Sequence, residues 1–213
     1  MNNLLRYNHK QRCLVYDFET CNVNLAFGNY PWQISYLIAQ GDDILETKDF
    51  YIKWTDLDKK ISKGAAQVTR FNYLQYQEKA IQNIEVLDDF EKYLYDDSII
   101  KVAHNSHGFD IFVHNIWRKE MGKASDWSYL NNSIDSNSLA KMVKLGIKEI
   151  SRENWKREMF KFADYREKGL KTSIKILSKE FDLGYDESQA HDSKYDIIKN
   201  LEIWNKLKGM IDI

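Results

Sequence analysis

Three short groups of residues in this chain carry side chains and spacings suited to chemistry. The first is Asp17-Phe18-Glu19-Thr20, where the apolar run Cys13–Tyr16 turns polar. On a strand, carboxylates at i and i+2 share one face. Like charges held that close repel, and a pKa rises unless a cation neutralises them. Hard divalent cations such as Mg²⁺ or Mn²⁺ prefer oxygen donors of this kind. The second group is Asn105-x-x-x-Phe109-Asp110, following the apolar run Ile99–Ala103; Asp110 stands where a helix carrying Ile111, Val113, Ile116 and Trp117 begins. Capping that helix would be work enough for an aspartate. The third is His191-x-x-x-x-Asp196, at the start of the last helical pattern, with Asp192 or Ser193 as its cap. A histidine ahead of a helix can move, whereas a carboxylate in its first turn is fixed. That pairing suits a general base drawing a proton from water beside a metal site. Three of the five histidines, His104, His107 and His114, lie near the second group. Their spacing forms no zinc motif, so they are expected to line a pocket or the surface.

Positioning these groups requires strands that end where they begin. Short apolar runs predict strands at Cys13–Tyr16, Gln33–Ala39, Ile44–Trp54, Ile99–Ala103 and Ile134–Asp135, with a hairpin turn at Gln40-Gly41-Asp42-Asp43. Helical spacing predicts a helix from about Glu78 to Tyr95 through Ile81, Ile84, Leu87, Phe90 and Leu94. Further helices are expected after Asp110, over Leu139–Leu145, and over Trp155–Arg166, Lys171–Phe181 and Ser193–Lys208. Strands followed by alternating helix and strand predict an α/β fold, one sheet with helices on both faces and functional groups at strand carboxyl ends.

The 213 residues fit a single domain, and 31 Lys+Arg against 32 Asp+Glu leave a net charge of −1. Attraction of the whole surface to nucleic acid or anionic lipid is therefore excluded, and any such affinity must come from a local patch. Two cysteines, Cys13 and Cys21, give no disulfide framework and no thiolate zinc cage. No membrane span or signal-peptide pattern is present, and a reducing, cytoplasmic location is expected. Charge is uneven along the chain. Glu78–Asp97 holds seven acidic and two basic residues, a face polyanions should avoid. Residues 151–179 hold nine basic against four acidic residues, interleaved with Trp155, Phe160, Phe162 and Tyr165. Such a segment suits single-stranded nucleic acid, or else a solvated helix with its aromatics in the core.

Taken in order, Asp17-x-Glu19-Thr20, Asn105-x-x-x-Phe109-Asp110 and His191-x-x-x-x-Asp196 resemble the three exonuclease motifs of the DEDDh family, across roughly residues 13 to 208. Tyrosine-type relatives place a tyrosine four residues before the last aspartate; here that position is Asp192, and His191 marks the histidine type. Three residues separate Asn105 from Phe109, as in the repair and single-strand-specific members. The resemblance implies a ribonuclease H-like mixed five-stranded sheet flanked by helices, forming one exonuclease domain over 1–213. It implies two divalent metal ions, Mg²⁺ or Mn²⁺, with Asp17 bridging both, Glu19 and Asp196 completing one site and Asp110 supporting the other. His191 is then the general base, while Phe18, Thr20 and Asn105 contact the 3′-terminal nucleotide or its surroundings. The implied activity is 3′-to-5′ hydrolysis of single-stranded nucleic acid, DNA favoured and RNA open, to nucleoside 5′-monophosphates. A homodimer is left open, as are an exoribonuclease and a non-catalytic nucleic-acid-binding module on the same fold.

Overall fold

The computed structural model describes residues 4–25 and 28–213. Six strands form one sheet: β1 (Arg12–Thr20), β2 (Pro31–Gln40), β3 (Asp43–Lys53), β4 (Ile81–Gln82), β5 (Ile99–Ala103) and β6 (Ser133–Asp135). Their order is β4-β3-β2-β1-β5-β6. β1, β2 and β3 form an antiparallel meander, whereas β1–β5, β5–β6 and β3–β4 pair in parallel. The expected hairpin is present, with Gln40 opposite Asp43 and Gly41 at φ 64, a left-handed position that glycine adopts without strain. The sheet has one strand more than expected because the two-residue β4 extends its edge.

Nine helices accompany the strands among the described residues. Three short ones, α1 (Leu57–Lys60), α2 (Lys63–Val68) and α3 (Tyr73–Lys79), lie between β3 and β4. They are followed by α4 (Asn83–Leu94), α5 (Asp110–Glu120), α6 (Ser136–Lys144), α7 (Trp155–Asp164), α8 (Ile174–Glu180) and α9 (Ser193–Leu207). The helix expected from Glu78 begins only at Asn83. Ile81 is drawn into β4, and the buried residues of α4 are Val86, Leu87, Phe90 and Leu94.

Side-chain alternation along β1 sorts the core into two layers. Cys13 and Val15 join α6–α9 on one face; Leu14, Tyr16 and Phe18 join α4 and α5 on the other. β1 and β2 are covered on both faces and bury nearly every residue. A fully buried Leu, Ile or Phe contributes roughly 1.5–3 kcal/mol, so this doubly covered centre is the rigid part of the scaffold. The acidic stretch Glu78–Asp97 does not present the bare negative face expected of it. Asp88, Asp89, Glu91 and Asp96 lie against Lys123, Lys48, Arg118 and Arg12, cations supplied by other elements. Among the described residues, no helix is long and apolar enough to cross a membrane.

Candidate active site

Because β1, β5 and β6 run parallel, their carboxyl ends meet at one edge of the sheet. Asp17 and Glu19 continue the Cys13–Val15 face toward α9 and lie opposite Ser35 and Gln33 of β2. The amino end of α9 is pinned over that same place, with Ser193 Oγ 2.6 Å from Ser35 Oγ. Asp192 caps α9, accepting hydrogen bonds from the N–H groups of Lys194 and Tyr195 at 3.0 and 3.2 Å. Asp196 stands in the first turn, and its carboxylate accepts the His191 N–H. His191 is exposed, with its backbone in the left-handed region at φ 63. Asp110 opens α5, and its carboxylate accepts the Phe18 N–H, which joins the second motif to the first.

The structure therefore brings Asp17, Glu19, Asp110, His191 and Asp196 to one edge. Glu19 and Asp110 are 7% and 4% exposed, and Asp17 and Asp196 are half-buried. Among the described residues, no Lys or Arg forms an ion pair with any of the four carboxylates. Burial pushes the Asp110 carboxyl up to about 7, with Asp135 adding to it. Burial lifts Asp196 to about 6, offset in part by the His191 N–H. Asp17 is driven well above the usual carboxylate range by burial, then by Glu19, Asp110 and Asp196. Glu19 follows suit through burial, Asp196 and Asp110. All-oxygen donors, crowded and without a cation partner among the described residues, are the donor type a hard divalent ion prefers. Among the described residues, no three acidic, His or Cys side chains are placed as a group ready to hold a metal ion.

These carboxyls hold protons more tightly in the folded chain than in the unfolded one, which gives a pH effect its sign. Without divalent ions, stability should fall as pH rises from near 4, the unfolded range, through the folded values of about 6 and 7. Asp110→Asn keeps an acceptor for the Phe18 N–H and removes one charge. It should raise the melting temperature by roughly 3–8 °C at pH 8 and leave it unchanged at pH 4. Added Mg²⁺ or Mn²⁺ should stabilise the parent more than the variant. A variant less stable than the parent at pH 8 would show that the crowding is not felt.

Behind the carboxylates, Asp135 holds the motif loop in place. It is 0% exposed and accepts N–H groups from Asn105, His107 and Asn137 at 2.9, 3.0 and 2.9 Å, and from Ser138 at 3.2 Å. Those bonds keep its carboxylate satisfied although burial raises its pKa. They also fix Asn105 at φ 64, a left-handed conformation that asparagine tolerates better than most residues. The sequence marks Asp135 as a strand-to-helix junction, but its grip on a loop 30 residues away leaves no local signal.

The side chains of Phe18, Thr20 and Asn105, the expected substrate contacts, are engaged within the fold. The Phe18 ring, 5% exposed, lies edge-on to Tyr16, Phe90 and Trp117 in the core, so only its backbone serves the site. Thr20 is buried, and its hydroxyl donates to Asn22 O at 2.7 Å. The Asn105 side-chain oxygen accepts Asn137 Nδ2 at 3.2 Å, and Asn137 in turn accepts the Thr172 hydroxyl. His104, His107 and His114 are engaged within the fold. His104 Nδ1 lies 2.9 Å from Ser136 Oγ, His107 packs against Phe160, and His114 Nε2 lies 3.0 Å from Glu91. Burial pulls both His104 and His107 down to about 4, keeping them neutral.

A mixed sheet with antiparallel β1–β3, parallel β1–β5–β6 and helices on both faces defines a ribonuclease H-like fold. No family model and no curated protein matches the chain. Among solved structures, it is similar to E. coli exonuclease I in a zinc-bound complex with single-stranded DNA, at 17% identity and TM-score 0.72. It is similar also to E. coli exonuclease I with a dA16 oligonucleotide, at 18% identity and TM-score 0.72. Both alignments cover 94% of this chain and 41% of the other, so this chain spans about two fifths of exonuclease I.

Proposed function

We propose that this chain is one exonuclease domain, a metal-dependent 3′-5′ exonuclease that hydrolyses single-stranded nucleic acid, DNA in preference, to nucleoside 5′-monophosphates. The observation that carries this reading is the meeting of Asp17, Glu19, Asp110 and Asp196 at one sheet edge, without a basic partner among the described residues, beside His191. Its fold neighbours were solved with single-stranded DNA and with an oligonucleotide, which favours DNA.

Asp17, Glu19, Asp110 and Asp196 would hold two divalent ions, Mg²⁺ or Mn²⁺. Such ions supply positive charge that stabilises the attacking and leaving oxygens of an in-line displacement. His191 takes a proton from the attacking water, whose oxygen forms the new bond to phosphorus. The bond from phosphorus to the 3′-oxygen of the shortened strand breaks, and that oxygen leaves with the electron pair and is protonated from solvent. The phosphate departs on the terminal nucleoside as a 5′-monophosphate. The Asp196 carboxylate, bonded to the His191 N–H, ties the base to the site while leaving the imidazole able to turn.

The test is a gel of 5′-labelled single-stranded DNA and RNA of matched sequence with Mg²⁺, Mn²⁺ or EDTA. A metal-dependent ladder shortening from the 3′ end is the expected result, strongest on DNA. Binding without cleavage of either strand would turn the assignment to a non-catalytic module.

A further inference from the structure

The cations of segment 151–179 do not act as a uniform basic patch. Trp155 and Phe162 of α7 are buried in the core, and Lys161 and Arg157 lie against Glu158. What remains is a cavity of about 480 Å³ beside the motif loop, lined by Asn105, Asn137, Lys141, Tyr165, Arg166 and Lys168 among others. Its size falls within the range of small-molecule sites. Lys48, Arg118, Lys123, Lys144 and Lys199 all lie against carboxylates. Lys141, Arg166 and Lys168 form no ion pair among the described residues.

Two of these cations are held at the carboxyl end of α7. Lys141 Nζ donates to Phe162 O and Ala163 O at 2.8 and 3.2 Å, and Arg166 Nη1 donates to Ala163 O and Tyr165 O at 2.6 and 3.0 Å. Such bonds fix the heads but use only part of an ammonium's three donors and a guanidinium's five. The acid on the cavity wall, Glu167, accepts the Tyr165 hydroxyl at 2.6 Å. The cavity is thus a cationic cleft in which Lys141 and Arg166 are held, joined to the motif loop through the Asn105–Asn137–Thr172 chain.

We propose that this cleft, which borders the Asn105 motif loop, is an anion subsite that holds a backbone phosphate of the substrate strand. The inference rests on the exonuclease reading above. Arg166 and Lys168 carry the phosphate contacts, with Lys141 as the buried charge beneath them. The half-exposed Tyr165 ring offers a face on which a base can stack. Unpaired cations at this position offset the repulsion a polyanion meets from the carboxylates.

The test uses the full chain carrying Asp17→Ala, so that the strand is not consumed, and fluorescein-labelled oligothymidylate followed by anisotropy over a series of NaCl concentrations. Adding Arg166→Ala with Lys168→Ala should weaken binding at low salt by about tenfold or more. It should also lower the slope of log affinity against log salt by about 1.4, since single-stranded contacts contribute about 0.7 each. The Gln pair at the same positions should behave alike, which guards against a folding defect in the Ala pair. Lys148→Ala with Lys206→Ala, two exposed lysines outside the cleft, should leave the slope unchanged. An unchanged slope in the cleft variants, or an equal loss in the Lys148/Lys206 pair, overturns the subsite and leaves the exonuclease reading standing. Absence of both binding by the Asp17→Ala chain and cleavage by the unsubstituted chain overturns both.

Discussion

Replacing Asp17 with alanine is expected to lower strand cleavage by at least about 10³-fold while the chain stays folded. Asp17 is the carboxylate whose charge meets those of Glu19, Asp110 and Asp196 alike, so it stands at the centre of the cluster. Removing it takes away the donor best placed to hold positive charge between the other three. Charge stabilisation by a held metal is worth several kcal/mol, and each 1.36 kcal/mol is a factor of ten in rate. The fold should not suffer, because the lost group is a like charge crowded among carboxylates, and its release relieves repulsion. Single-turnover cleavage of labelled DNA, read beside a thermal melt, separates the two effects. Turnover within tenfold of the parent in a folded variant would remove Asp17 from the chemistry. A collapse of the melt would show instead that Asp17 is structural.

How much of this was legible beforehand follows from how local each signal is. The doubly covered strands β1 and β2 announce themselves as apolar runs, and the Gly41 hairpin as a turn of fixed chemistry. The cap at Asp192 and the helix start at Asp110 are also local, so the motif positions can be read in order. The start of α4 departs from the helical spacing because Ile81 fits a helical stripe equally well, and only pairing with Ile52 draws it into the sheet. The Glu78–Asp97 stretch looked like a bare acidic face because its neutralising cations come from distant strands and helices. Phe18 is different, since the signal was present: if Asp17 and Glu19 share a face, the residue between them must point to the other. That parity sends its ring toward Phe90 and Trp117. Lys141, Arg166 and Lys168 could be seen as part of a basic run or its approach, but not as cations gathered around one cavity, which depends on how α7 and the loop after it pack.

The second large effect is expected at His191, where two explanations of one residue make opposite predictions. His191 holds a left-handed backbone conformation at φ 63 in the turn ahead of α9, and its N–H serves the Asp196 carboxylate. If it only shapes that turn, asparagine, which enters the left-handed region readily, should replace it with little loss. If its imidazole takes the proton from water, asparagine should fail as badly as alanine. We expect the second outcome, with kcat lowered roughly 10²–10⁴-fold in both His191→Asn and His191→Ala, the usual worth of a general base. Affinity for single-stranded DNA should change little, because the side chain is exposed. Partial recovery of the alanine variant by imidazole added to the solution would tie the loss to the missing base. Near-parent turnover in His191→Asn would instead assign the residue to the geometry of the turn, and the proton would need another acceptor at this edge of the sheet.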